Sequence, residues 1–282
     1  MQGNLWQTQE TPRRVACYAG YSFSMQRAAQ AVGIEPRICG IVTTPRWARD
    51  VAREFSIDPD EGCTLEGHEA PSMGSSILLD NGAFPAWRRG EPLSMREQLD
   101  GIHDAMGVLG MATDWIIAPD VVGDAQTSWD RTISSLPELE QYGLSRLMLA
   151  AQDNADLDML AGLALELQCG VFIGGRDWSF KAHALATLAA YDLPWLHVGR
   201  AKTEAELAAC ARLGAHACDS TSWLRMQHHN VAARPTTRAT FDQWAAMRNS
   251  PTEDEQPSWP LPQKRAKTLD QILADFTQEQ AA

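Results

Sequence analysis

Short β-branched or apolar runs alternate with longer segments of helical spacing, and the alternation repeats eight times along the chain. The strand candidates are Val15–Gly20, Ile38–Val42, Ser76–Asp80, Trp115–Asp120, Arg146–Gln152, Gly170–Gly174, Trp195–Gly199 and His216–Asp219. Between them apolar residues recur at helical spacing, most clearly over Ser94–Leu109, Thr127–Glu140, Ala155–Leu167, Phe180–Tyr191 and Thr203–Leu213. Ser94 precedes Glu97, and Thr203 precedes Glu206, by the three residues of a capping box. Strands alternating with helices make right-handed βαβ units and a parallel sheet. Eight such units are the number that closes a (β/α)8 barrel, so the fold class read here is α/β, a TIM barrel, over residues 1–248. An open doubly wound sheet would carry a GxGxxG turn after its first strand, where this chain has Tyr18-Ala19-Gly20-Tyr21-Ser22-Phe23. Asp58–Ser76 reads as a loop insertion after strand two. Asn249–Gln263, with four prolines, reads as a linker and Thr268–Phe276 as a short helix, so 249–282 form a C-terminal tail.

With 282 residues, 44% hydrophobic and 21% charged, the chain can bury a sizeable core and is not a disordered protein. No stretch approaches the ~18–20 apolar residues of a membrane helix. Met1–Arg14 is polar and carries Trp6 and Pro12, unlike a secretory signal, so a cytoplasmic protein with no membrane partner is expected. The six cysteines are scattered without a CxxC pair, which favours free buried thiols over a disulfide framework. A net charge of −12 opposes bulk attraction to a polyanion, so a nucleic-acid partner would need a local basic patch. Ser220–Ser250 offers one, with Arg225, Arg234, Arg238 and Arg248 against the single acid Asp242, although an ordinary solvated face explains it as well.

In a barrel the working residues stand at the C-terminal strand ends and in the loops that follow. Strand three ends in Asp80 with Asn81-Gly82-Ala83-Phe84 behind it, strand four in Asp120 with Asp124 following, and strand five in Gln152-Asp153. Strand six ends in Gly174-Gly175, strand seven in His197-Val198-Gly199-Arg200, and strand eight in Asp219. Packing does not require so polar a rim. Asp80 and Asp219, on strands expected to face each other across the mouth, suit glycosidic bond cleavage: one carboxylate attacks the anomeric carbon, the other moves a proton at the leaving group. Asp120, Gln152 and free backbone N–H groups at Gly174-Gly175 suit a guanine-like edge, the carboxylate accepting and the amides donating. Taken singly, a strand-end aspartate is as good a helix cap, and Gly-Gly as good a turn.

These residues carry a resemblance. Trp195–Asn230 resembles the segment of the tRNA-guanine transglycosylase superfamily that bears its aspartate nucleophile, and Asp219 falls on that aspartate. Residues 78–84, Leu-Leu-Asp-Asn-Gly-Ala-Phe, resemble the family's Asp-Ser-Gly-Gly-Phe motif, which implies that Asp80 is the general acid/base and Phe84 the aromatic that stacks on the base. By the same resemblance Asp120 and Gln152 read the base, Gly174 and Gly175 present a backbone amide, Gly199 borders the pocket, and Leu196 covers the base's other face. The matches run in order through strands three to eight.

The departures point to one branch. The tRNA enzymes carry a CxCxxC…H zinc site after the nucleophile strand, and nothing of that spacing occurs here; Cys218, His228 and His229 make a poor zinc set, so no metal and no other cofactor is expected. A compact, zinc-less chain is similar to the phage and bacterial branch that exchanges guanine in DNA for a 7-deazaguanine such as preQ0. The resemblance thus implies a pentosyltransferase whose partners are DNA, with RNA as the alternative acceptor, and a free guanine or 7-deazaguanine base; a homodimer is compatible with it. Arg88, Arg89, Arg200 and Arg225 are the expected phosphate contacts. Trp223, like Trp87 and Trp178, follows a rim motif and either stacks on bases or packs a loop. The rival readings are a tRNA-guanine transglycosylase, a glycoside hydrolase, a phosphate-binding barrel lyase or isomerase, and a non-catalytic nucleic-acid-binding barrel. A hydrolase leaves Gln152 and Gly174-Gly175 without an evident task.

Overall fold

A computed structural model describes residues 16–20, 40–54, 57–60, 62–63 and 77–219, together with 269, 271 and 274. Its frame is a closed barrel of eight parallel strands. They are β1 (Ala16–Gly20), β2 (Gly40–Thr43), β3 (Ile77–Leu79) and β4 (Thr113–Ile117). Then come β5 (Leu147–Ala151), β6 (Gly170–Ile173), β7 (Leu196–Val198) and β8 (Ala217–Asp219). Each strand lies beside its neighbour in sequence, and β1 closes the ring by pairing with both β2 and β8: Tyr18 stands opposite Gly40 on one side and Asp219 on the other. The eight strands expected from the alternation are the eight observed. β3 and β8 are separated by β2 and β1, so they face each other obliquely rather than squarely across the mouth.

Seven helices are described: α1 (Ala48–Glu54), α2 (Ala83–Arg88), α3 (Met95–Leu109), α4 (Ala125–Leu139), α5 (Leu157–Leu167), α6 (Trp178–Leu188) and α7 (Glu204–Leu213). Two start on the capping boxes the sequence announces. Glu97 N–H donates to Ser94 Oγ at 3.2 Å and Ser94 N–H to Glu97 Oε2 at 2.8 Å; the Thr203–Glu206 pair repeats this at 3.2 and 2.9 Å. Asp124 and Asp156 cap α4 and α5 in the simpler way, each accepting a backbone N–H at 3.0 Å.

The core has two layers, and strand parity assigns residues to them. Leu78, Trp115, Ile117, Met148, Ala150, Trp195 and Ala217 fill the barrel interior. Leu79, Ile116, Leu147, Leu149, Val171, Ile173, Leu196, Val198 and Cys218 face outward and pack beneath the helices. A side chain just past a strand keeps the alternation, so Asp80, Gln152, Gly174 and Gly199 turn inward at the rim, as do His197 and Asp219 on their strands. This layering delivers a polar ring on an apolar plug. Part of the insertion after β2 forms a small antiparallel arm, Ile57–Asp58 against Gly62–Cys63. Met111 N–H donates to Pro59 O at 3.0 Å, which ties the arm to the end of α3, opposite the mouth. Of the tail, Leu269, Gln271 and Ala274 are helical, and Leu269 is buried in the helix-facing layer. No helix among the described residues is long and apolar enough to cross a membrane.

Candidate functional site

The C-terminal ends of the strands open into a cavity of about 930 Å³. Asp80, Asp120, Gln152 and Asp219 line it, as do Phe84, Gly174, Gly175, Gly199, Arg88, Arg89 and Arg200. The chain thus brings eleven of the residues singled out from sequence into one concave surface. Trp223 and Arg225, with the rest of the Ser220–Ser250 patch, His228 and His229, lie outside the described residues.

Asp80 continues the β3 ladder, its N–H donating to Thr43 O at 2.7 Å. One carboxylate oxygen accepts from Gly82 N–H at 2.7 Å. Burial pushes its carboxyl up from 3.8 to about 7, the Gly82 bond opposing this and the charges of Asp120 and Asp219 adding to it. It is therefore part protonated near neutral pH, the range in which a carboxyl both gives and takes a proton.

Asp219 has each oxygen addressed. His197 Nε2 lies 3.1 Å from Oδ2, and Arg200 N–H donates to Oδ1 at 3.1 Å. A carboxylate oxygen accepts, so the His197 tautomer that bonds Asp219 is the one with its proton on Nε2. The imidazole is fully buried and stacks on Phe172 with centroids 5.4 Å apart. Arg200 sits in the left-handed region, φ 61°, and its guanidinium lies 4.0 Å above the centre of the Phe84 ring.

Asp120, Gln152 and Asn81 form a buried polar cluster. Asn81 Nδ2 donates to Asp120 Oδ1 at 2.9 Å and Gln152 Nε2 to Oδ2 at 2.5 Å. Burial raises the Asp120 carboxyl, and these two donors, with the Arg131 charge, pull it back. Gln152 Oε1 accepts from Gly123 N–H and Gly175 N–H, each at 3.0 Å. The reversed amide would set its NH₂ against two backbone donors, which fixes its orientation. After these bonds Asp120 keeps two lone pairs and Gln152 one N–H. That remainder, two acceptors beside one donor, complements the N–H, NH₂ and carbonyl edge of guanine. From α3, Gln98 clamps the Asp120 backbone, accepting its N–H and donating to its carbonyl, both at 2.9 Å.

Two expectations need correction. Gly174 N–H donates to Ala151 O at 2.9 Å and Gly175 N–H to Gln152, so neither amide is free. Glycine is required there for packing: a Cβ at Gly174 would stand 2.6 Å from Gln152 Nε2, and one at Gly175, φ +75°, 2.5 Å from the Phe180 ring. Leu196 does not reach the cavity, because its parity on β7 places it in the helix-facing layer. Phe172, inward on β6, is the apolar ring that lines the cavity instead. Of the other rim acids, Asp124 is the α4 cap, and Asp153 is bound to Arg176 Nε at 2.7 Å. Cys218 likewise faces the helix layer, and among the described residues no three His, Cys, Asp or Glu side chains are disposed to hold a metal.

Sequence reasoning did not select Asn81, His197 or Lys181 as site residues. Lys181, on α6, is buried at 4% exposure, lines the cavity, and donates from Nζ to Gly199 O at 2.6 Å. Its one sequence signal is a cation amid an otherwise apolar helix face.

No family model and no curated protein matches the chain. Among solved structures the chain is similar to "QR15, an Aldolase" at 9% identity, over 80% of this chain and 97% of that one, with a TM-score of 0.47. The assignment as an α/β TIM barrel therefore rests on the strand order and closure described above.

Proposed function

We propose that the chain is an enzyme, a base-exchange transglycosylase that replaces guanine in DNA with a 7-deazaguanine through a covalent aspartyl–sugar intermediate. The observation that carries this reading is the pair of rim carboxylates in unlike environments: Asp219 with His197 Nε2 and the Arg200 N–H on its two oxygens, and Asp80 lifted to about 7, within electrostatic reach of it. A double displacement at an anomeric carbon requires one carboxyl that attacks and another that gives and takes a proton, and a carboxyl lifted to about 7 suits the second task. The Asp120–Gln152 remainder supplies recognition of a guanine edge and gives the second half of the site a task that sugar hydrolysis alone would not.

In this mechanism an Asp219 oxygen attacks C1′ of the target deoxyguanosine, and the C1′–N9 bond breaks as the C1′–O ester forms. Asp80, as the acid, protonates the departing base. The incoming 7-deazaguanine takes the same slot on Asp120 and Gln152, Asp80 removes its ring N–H proton, and the ring nitrogen displaces Asp219 from C1′. One glycosidic bond is exchanged for another, so the balance needs no oxidant and no ATP. A base stacked in a duplex is out of reach of a barrel mouth, so the target is extruded or single-stranded, at a few kcal/mol.

The test is incubation of the protein with single- and double-stranded DNA, a tRNA transcript and labelled guanine, followed by digestion to nucleosides. Label in DNA nucleosides, lost with Asp219→Asn, is the expected result. Label only in the tRNA moves the acceptor to RNA. Release of free base without incorporation overturns transglycosylation in favour of hydrolysis.

A further inference from the structure

The peptide between Gly199 and Arg200 joins a buried cation to the carboxylate proposed as nucleophile. Its carbonyl accepts from Lys181 Nζ at 2.6 Å, and its N–H donates to Asp219 Oδ1 at 3.1 Å. Hydrogen-bond chains of this kind polarise one another, so an ammonium on the carbonyl makes the N–H a stronger donor. The same peptide enters a residue in an unfavourable backbone region, Arg200 at φ 61°, a conformation that persists only where the surroundings enforce it. Lys181 reaches this peptide from α6, a different element from β7, and so pins the turn from outside. Gly199 cannot carry a side chain here, since a Cβ would stand 2.5 Å from the Phe172 ring. Carbonyl, turn and carboxylate are thereby fixed with respect to one another.

We propose that Lys181 is a positioning residue for Asp219, acting through the Gly199–Arg200 peptide to hold the carboxylate for attack and to set the turn that carries the Arg200 guanidinium over Phe84. The positioning itself follows from the geometry; its catalytic consequence rests on the transglycosylase reading. Burial lowers the Lys181 ammonium to about 8, with Arg200 and Lys202 lowering it further and Asp219 and Glu206 opposing them. Those four groups, from the β7–α7 segment, β8 and α7, and the Cys210 thiol of α7 are the charged and titratable groups that face it. The hold on Asp219 therefore weakens as pH rises past about 8.

Two measurements test this, one independent of activity. The Arg200 amide resonance of the wild-type protein should show an inflection near pH 8, as the Lys181 ammonium bonded to the Gly199 carbonyl loses its charge, and Lys181→Arg should abolish that inflection. The first of these readings needs no variant. In the exchange assay Lys181→Met should lower kcat by about 10–100-fold, the usual cost of losing an outer partner of a reacting group, with KM nearly unchanged. Lys181→Arg, charged throughout the range, should restore part of that loss and remove the alkaline fall in rate near pH 8. An Arg200 amide that ignores pH in the wild type overturns the positioning. Wild-type rates with an Arg200 inflection but no kcat loss in Lys181→Met overturn its catalytic consequence. A wild type that exchanges no base, yet shows the inflection, overturns the transglycosylase reading and leaves the positioning standing.

Discussion

Asp80 and Asp219 are chemically identical side chains in unlike surroundings. Asp219 meets an imidazole and a backbone N–H; Asp80 meets one N–H, desolvation and two neighbouring negative charges. The consequence for stability can be measured. The folded-state value of about 7 lies above the 3.8 of the unfolded chain, so the folded protein binds the extra proton between those limits. Protonation favours the fold fully below 3.8, and the advantage is lost as pH rises through 7. Asp80→Asn keeps the acceptor for Gly82 N–H but never ionises. It should therefore be more stable than wild type at pH 8 by roughly 1–3 kcal/mol, with no gain at pH 3, in urea unfolding. The same variant should exchange base about 10²–10⁴-fold more slowly, the range for loss of a general acid/base. A variant stabilised equally at both pH values would deny the burial effect. Gln152 makes a second prediction at this scale. Gln152→Glu places a carboxyl in the buried cluster against Asp120, whose charge and the burial outweigh the two N–H donors, so it should take up a proton on folding and raise KM for the incoming guanine at pH 8 more than at pH 6.

At the scale of elements, period was the legible signal. Alternation of short apolar runs with 3.6-period segments located all eight strands and the five long helices, because burial on both faces of a parallel strand and on one face of a helix writes directly into the sequence. The short helices α1 and α2 were not read, since six or seven residues span too few turns to show a period. Parity explains both the successes and the failure at the rim. Asp80, Gln152 and Asp219 share the inward phase of their strands, and so does His197; Leu196, one residue out of phase, goes to the helix layer despite its place in the motif. Gln98, Asn81 and Lys181 were hidden because their roles depend on which elements meet, and a polar residue in an apolar stripe does not name its partner. Gly175 tests the element-level account. Gly175→Ala forces a side chain at φ +75° and 2.5 Å from Phe180, so it should destabilise by about 2–4 kcal/mol and weaken guanine binding by displacing Gln152. A neutral effect in thermal unfolding would show that the β6 turn is looser than described.

For the whole molecule the proposed function raises the question of how a chain of net charge −12 would hold a polyanion. The described mouth concentrates cations: Arg46, Arg88, Arg89, Arg200 and Lys202 line it together with the buried Lys181. Trp87, exposed at 43% with its ring 5.9 Å from that of Phe84, extends an aromatic surface outward from the pocket. DNA binding should accordingly weaken steeply with salt, and Arg88→Gln should lower the slope of log K against log salt by about one, the change for one phosphate contact. An unchanged slope would move the phosphate path away from α2. Most direct is the fate of Asp219 itself. The protein is mixed with DNA without added base and denatured, and any DNA-linked peptide is identified by mass spectrometry. The account predicts a deoxyribose linked to the peptide carrying Asp219, absent from Asp219→Asn and released when a 7-deazaguanine is supplied. An adduct on any other residue, or one that survives in Asp219→Asn, contradicts it.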